Sequence, residues 1–341
     1  MPAPRVSVLM AVYDGETYLD EAIQSVLNQT FHDFEFIVIN DGSTDGTAKI
    51  IERYRRGDRR IRVYEQPNRG LVVALNRGFE LARGEYIARM DADDVCVPER
   101  VAAQVAFMDA RQEVGVCGTW IETMGTSNGN VRRYPPDDAT IRSWLLFESV
   151  LAHPSVMMRR DLFVKTGLLY NAAYVHAEDY ELWVRAARHT ALANLPKILL
   201  RYRLHPQQVV EKHETAKLSS ARLVRLAQLE HLGIRPTEEE LVLHQALSTW
   251  QFEATPDFIE ASLAWLRKLQ AANHAAGVYP EPAFLNVLGQ RWSALCATAT
   301  HLGLWTFRTF WRPPFRANAG LTWQQMLKFA IKCGIRHRVH V

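Results

Sequence analysis

The 341 residues leave room for one large domain and a smaller one, and 48% hydrophobic with 23% charged residues is a globular composition, which excludes disordered, collagen-like and disulfide-scaffold chains. Cys96, Cys117, Cys296 and Cys333 stand apart with no CxxC pair, so neither a zinc cluster nor a disulfide framework is expected. The net charge of +3 hides an asymmetry: no acid follows Glu281, whereas Arg291, Arg308, Arg312, Arg316, Lys328, Lys332, Arg336 and Arg338 do, and such an end suits an anionic partner, membrane surface or nucleic acid.

In chain order, the apolar run Val6–Val12 reads as a buried parallel strand. It lacks a small-residue cleavage pattern, so it is not expected to be a signal peptide, and a cytoplasmic protein is expected. Leu19, Ala22, Ile23, Val26 and Leu27 recur at helical spacing, and Phe34–Ile39 is a second strand. Ile61–Tyr64 and Tyr86–Met90 are further strands, separated by a helix over Leu71–Ala82 that ends before Gly84. This βαβ rhythm predicts an α/β, Rossmann-like doubly wound sheet. Past Ser127 the pattern loosens around Gly129, Pro135 and Pro136, then gives a strand at Ser155–Met158 and a helix near Tyr180–Arg188. Strand signals stop after Tyr202, and an α-helical region is expected from 211, broken near Gly233, Pro256, Pro280 and Pro313–Pro314. The longest charge-free stretch before the basic end, Trp292–Phe307, is short of the roughly 20 apolar residues of a spanning helix.

The densest chemistry is Asp91-Ala92-Asp93-Asp94, directly after a strand. Residues i and i+2 of an extended chain share a side, so Asp91 and Asp93 can converge at the carboxyl edge of the sheet, where open α/β folds bind ligands. Such carboxylates suit Mg²⁺ or Mn²⁺ with open positions for diphosphate oxygens; alone, they could equally be a solvated turn capping the next helix. Two earlier strands end at the same edge in Tyr13-Asp14 and in Asp41 of Asn-Asp-Gly-Ser-Thr-Asp. An aromatic face can stack on a base, and a carboxylate can accept from a ring N–H. Further on, Glu178-Asp179 opens a helix. A carboxylate there can serve as a general base, although acids in a first turn also suit the helix dipole.

These segments, in this order, resemble the family 2 glycosyltransferases, enzymes of the GT-A fold that move a sugar from a nucleotide-sugar donor with inversion. The resemblance runs from Val6 to about His205 and implies a catalytic domain over 1–210, followed by an α-helical region over 211–341. It implies that Ala11, Tyr13, Asp41 and Asn68 hold the nucleoside, with Arg69 and Asn76 further along the donor pocket, and that Asp91 and Asp93 serve ribose, diphosphate and metal. It implies Asp179 as base and Glu178 as its partner or an acceptor contact. Trp183, one turn on, could stack under an acceptor sugar or be core. His205, in Tyr-Arg-Leu-His-Pro, is implied as an added metal ligand beside Asp93 or a diphosphate contact, and His153, in Ala-His-Pro-Ser, as an acceptor contact. Pro-Gln-Gln follows His205 where the family has small residues of a closing segment. A UDP-sugar donor, Mn²⁺ or Mg²⁺ as cofactor, and a glycan or lipid-linked acceptor in envelope synthesis are what the resemblance implies.

A sugar nucleotidyltransferase shares the sheet and acidic site, but has a Gly-rich basic loop where Ala-Val-Tyr-Asp-Gly stands here. A degenerate binding module is the other alternative, opposed by the presence of both acidic sets. No GxGxxG follows an early strand, which disfavours an NAD-dependent oxidoreductase. At the basic end, Trp323, Met326, Leu327, Ala330 and Ile331 form an apolar stripe, and Trp305, Phe307, Phe310, Trp311 and Phe315 alternate with arginines. Residues 304–341 are therefore expected to dock on an anionic membrane surface, the competing reading being packing on the protein. No nucleic-acid motif accompanies the charge, so nucleic acid is not expected.

Overall fold

The computed structural model describes residues 3–126, 128–205 and 214–337. It divides into two compact units, residues 1–138 with 149–221, and residues 139–148 with 222–341.

The first unit opens with β1 (Val6–Val12), α1 (Leu19–Leu27), β2 (Phe34–Asn40), α2 (Thr47–Gly57), β3 (Ile61–Glu65), α3 (Leu71–Leu81) and β4 (Tyr86–Asp91). Helix α1 buries Leu19, Ala22, Ile23 and Val26, the stripe its spacing predicts. All of β2 and all of β1 except Ala11 are buried, as befits parallel strands covered on both faces. The four strands lie parallel in the order β3-β2-β1-β4, in a register that pairs Ala11 with Ile39 on one side and Asp91 on the other. Every strand therefore ends at the same edge, and the polar residues after β1, β2 and β4 are delivered there together.

The α/β expectation holds, and beyond β4 the sheet becomes mixed. It continues through β8 (Met157–Arg159), β6 (Val114–Gly125), β9 (Ala191–Leu204) and β5 (Val95–Cys96), with β8 antiparallel to β4 and β6, and β6 parallel to β9. The short β7 (Val131–Arg132) pairs with β6. Strands β6 and β9 escape the sequence pattern because Gly115, Gly118 and Pro196 interrupt their apolar runs. The register jumps from Thr119↔Leu195 to Trp120↔Ile198, and this irregularity accommodates Pro196, which has no N–H to give a ladder. A Cβ on Gly118 would meet Asn194 Oδ1 at 2.2 Å, so glycine lets β9 approach. The strand expected at Ser155–Met158 starts late, because Pro154 opens a 3-10 turn over His153–Ser155. Helices α4 (Arg100–Ala110), α5 (Asp138–Leu145), α6 (Arg160–Thr166) and α7 (Glu178–Ala186) complete this part of the chain; α5 runs into the second unit.

Helix α8 (Glu214–His231) leads into α9 (Glu238–Thr249), α10 (Pro256–Ala276), α11 (Glu281–Thr298), α12 (Leu304–Phe310) and α13 (Trp323–Gly334), with the expected breaks. Thr237 with Glu240 and Thr322 with Gln325 form capping boxes on α9 and α13, and Thr255 caps α10 with Pro256 in its first turn. The core of this unit centres on Trp265, Phe284, Trp292, Phe310, Phe315 and Phe329. Phe310 and Phe315 are fully buried, which corrects the expectation that they belong to a membrane-facing segment. No helix among the described residues is long and apolar enough to cross a membrane.

Candidate active site

At the carboxyl edge of β4, ligand atoms of Asp91, Asp93 and Asp94 all lie within 4.8 Å of one another. Asp91 shares a side of the strand with Arg89, two residues earlier, whose guanidinium grips its carboxylate through Nη1 at 2.6 Å and Nη2 at 2.5 Å. Asp94 is fully buried and accepts the Arg203 N–H at 2.8 Å, while its Oδ2 is buried with no partner among the described residues. Burial pushes Asp94 well above the usual carboxylate range, reinforced by Asp91 and Asp93. Burial also raises Asp91 to about 6, with Arg89 opposing.

Strand β9 supplies the opposite wall. His205, just past its end, places Nε2 3.1 Å from Asp93 Oδ2 and leans on Tyr18, ring centroids 4.9 Å apart; its Nδ1 is buried without a partner among the described residues. Arg203 donates to the Asp93 carbonyl at 2.7 Å, pairs with Glu21, and lies over Tyr18. Three convergent carboxylates and an imidazole, with one oxygen and one nitrogen unsatisfied, are a donor set that fits a hard divalent cation. The Pro-Gln-Gln segment after His205 lies outside the described residues.

Glu178 and Asp179 occupy the first turn of α7. Burial, then the charge of Asp179, pushes Glu178 up to about 7. Burial raises Asp179 as well, partly offset by the Tyr180 N–H that its carboxylate accepts at 2.7 Å. The two acidic sets, nearly ninety residues apart in sequence, share one electrostatic field: Asp91 feels the charge of Asp179, and buried Arg89 acts on Asp91, Asp94, Glu178 and Asp179. Pattern reading missed Arg89, and its signal was a lone cation inside the apolar run Tyr86–Met90, in phase with Asp91.

Tyr13 is half exposed just past the end of β1, and Ala11 is partly open between β2 and β4. Asp14 accepts the Thr44 N–H at 2.7 Å, and its own N–H donates to Ser43, so the loops after β1 and β2 brace each other. Asp41 is buried and accepts from Gln66 Nε2 at 2.7 Å and from the N–H groups of Arg69 and Gly70 at 3.0 and 2.8 Å. It thereby shapes the turn that presents Asn68 and Arg69, both exposed. A Cβ on Gly42, at φ +75°, would meet the Asn68 N at 2.6 Å, so that approach needs glycine.

Three expected contacts are corrected. Asn76 spends both ends of its amide on the Tyr170 backbone, at 2.9 and 3.0 Å, and pins that loop to α3 in place of meeting a donor. Trp183 is fully buried and offers no face to an acceptor sugar. His153 bonds Tyr170 Oη at 2.8 Å and sits edge-on to Trp183; burial, then Arg89, holds it well below the ordinary histidine range, so it stays neutral in a supporting contact. Tyr18, Tyr170, Tyr202 and Arg203 surround the carboxylates without a motif to announce them. Burial, then Asp91, raises Tyr202.

The family model described as Glycosyl transferase family 2 matches residues 7–167. An uncharacterized glycosyltransferase of Haemophilus influenzae is 34% identical over 230 residues, 63% of this chain and 71% of that protein. The O-antigen biosynthesis glycosyltransferase WbnJ of Escherichia coli is 34% identical over 205 residues, 59% of this chain and 80% of that protein. Among solved structures, S. aureus TarS 1-349 in complex with UDP-GlcNAc superposes with a TM-score of 0.58 at 18% identity, covering 96% of this chain and 90% of that one. The mannosyltransferase PcManGT from Pyrobaculum calidifontis, in complex with GDP-Man and Mn²⁺, gives 0.51 at 18% identity, covering 98% and 87%. At such identities the structural likeness speaks to the fold alone.

Proposed function

This chain belongs to glycosyl transferase family 2 and has the GT-A fold, and from that premise we propose an inverting, metal-dependent transfer of a sugar from a nucleotide-sugar, taken as a UDP-sugar, to a hydroxyl of a glycan or lipid-linked acceptor in cell-envelope polysaccharide synthesis, at the cytoplasmic face of the membrane. The observation that carries this reading is the cluster of Asp91, Asp93 and Asp94, linked electrostatically to Glu178 and Asp179 through one buried arginine that acts on Asp91, Asp94, Glu178 and Asp179. The O-antigen role printed for the E. coli relative and the UDP-GlcNAc held by TarS support the pathway and the donor class.

In this reading Tyr13, Ala11 and the Asp41-built turn with Asn68 and Arg69 receive the nucleoside. Asp91, Asp93 and His205 would hold Mn²⁺ or Mg²⁺, which when bound neutralises charge on the diphosphate leaving group. Arg89 keeps Asp91 oriented within the cluster. Asp179, more basic than a solvated aspartate because of its burial, takes the proton from the acceptor hydroxyl as that oxygen attacks. Glu178, pushed up to about 7 by burial and the charge of Asp179, is about half protonated at neutrality, and in its protonated form can donate to an acceptor oxygen without adding a second negative charge beside the base.

Calorimetric titration with UDP, GDP and dTDP, each with and without Mn²⁺, tests the donor site without knowledge of the acceptor. Manganese-dependent binding of UDP is the expected result. Absence of binding by all three would overturn the assignment.

A further inference from the structure

Helix α13 is apolar on two faces, and the fold uses one of them. Met326, Phe329 and Cys333 turn inward; Phe329 and Cys333 are buried, and Phe329 packs on Phe310 with ring centroids 5.1 Å apart. Trp323, Leu327, Ile331 and Ile335 follow at i, i+4, i+8 and i+12, one row along the other side, and stand 76%, 47%, 53% and 68% exposed. Exposed apolar residues scattered singly are ordinary, but three in one row on a helix whose core face is already filled, with Ile335 at its C-cap, have no use within this unit.

The charge around the row selects its occupant. Lys328 and Lys332 flank it and are exposed, as is Arg336 just beyond the helix, and none of the three makes an ion pair among the described residues. With no acid after Glu281, a second copy laid face to face would bring lysines against lysines. A bilayer containing anionic lipid offers an apolar layer for the row and negative headgroups for its border, and a tryptophan at the head of the row suits the boundary between them. A helix of 12 residues is about 18 Å long, so it lies in the interface and does not cross.

We propose that the outer face of α13, Trp323-Leu327-Ile331-Ile335 with Lys328 and Lys332, is a docking surface for anionic lipid bilayers. The helix and the carboxylate cluster belong to different units of the chain and share no residue, so docking and nucleotide binding are read as separate properties.

The test is flotation of the full-length protein with vesicles of phosphatidylcholine alone, or with roughly a quarter phosphatidylglycerol. Binding to the anionic vesicles is expected to exceed binding to the neutral ones by at least about tenfold, and to weaken with salt. At about fivefold per surface charge, K328Q/K332Q is expected to lose roughly 25-fold of that partition, and W323Q/I331Q to lose a comparable part. All four side chains are exposed, so circular dichroism and UDP binding are expected to be unchanged. Equal partition onto both vesicle types, or variants that float like the parent, would overturn the proposal. So would a dimer in sedimentation velocity that W323Q dissociates without any vesicle binding, because the row would then be covered by a second copy.

Discussion

Replacing Glu178 with glutamine removes a carboxyl that the fold holds at a cost. The side chain is 7% exposed, and burial followed by the charge of Asp179 moves its pKa from 4.5 to about 7. Between those values the unfolded chain has released a proton that the folded chain retains, so the contribution of Glu178 to stability falls as pH rises through the window and stays low above pH 7. At about 1.4 kcal/mol per pKa unit the full penalty is about 3 kcal/mol. Glutamine keeps the shape and carries no charge at any pH. Glu178→Gln should therefore match the parent near pH 4.5 and exceed it by up to about 3 kcal/mol at pH 8. For a unit of this size that gain is about 6–10 °C in Tm. Parallel thermal and urea unfolding of both proteins from pH 4.5 to 8, followed by a near-UV signal, reads the difference. A stability difference that stays flat across that range would refute the burial argument for this carboxyl.

Asp179→Asn should leave nucleotide affinity within about twofold and lower transfer roughly 10²–10⁴-fold, since only proton removal is lost; product formation with a genuine acceptor measures it, and near-parental turnover would mean that another group is the base. Asp93→Ala should abolish the manganese-dependent part of UDP binding, as should EDTA on the parent, both read by calorimetry. Asn76→Ala should cost about 1–3 kcal/mol of stability by freeing the Tyr170 backbone groups, and leave affinity for UDP unchanged; a large loss of affinity would return Asn76 to the donor pocket.

Much of the parallel half of the sheet was legible in the sequence. Strands β1 to β4 are short, mainly apolar runs and helices α1 and α3 show a 3.6-residue period, local signals that survive without neighbours. The acidic trio was equally plain, since Asp91, Asp93 and Asp94 stand at the end of a strand that closes at the carboxyl edge. The antiparallel half was not, because the partners of β6 and β9 lie far apart in sequence and Gly118 and Pro196 have meaning only once those strands are side by side.

The same division runs through the site. Residue type and spacing singled out Asp91 and Asp93, and the family resemblance added Glu178, Asp179 and the histidines. They were silent on the direction of each side chain: Asn76 toward the Tyr170 backbone, Trp183 into the core, Arg89 among four carboxylates. Helical periodicity likewise identified an apolar stripe at Trp323–Ile331 but could not say that Phe329 and Cys333 fill the core and leave Trp323, Leu327 and Ile331 outside. A local period determines which residues share a face, because it follows from backbone geometry alone. What covers that face, and therefore which side chains are desolvated, paired or free to meet a ligand, depends on contacts between segments distant in sequence, and only the tertiary structure decides it.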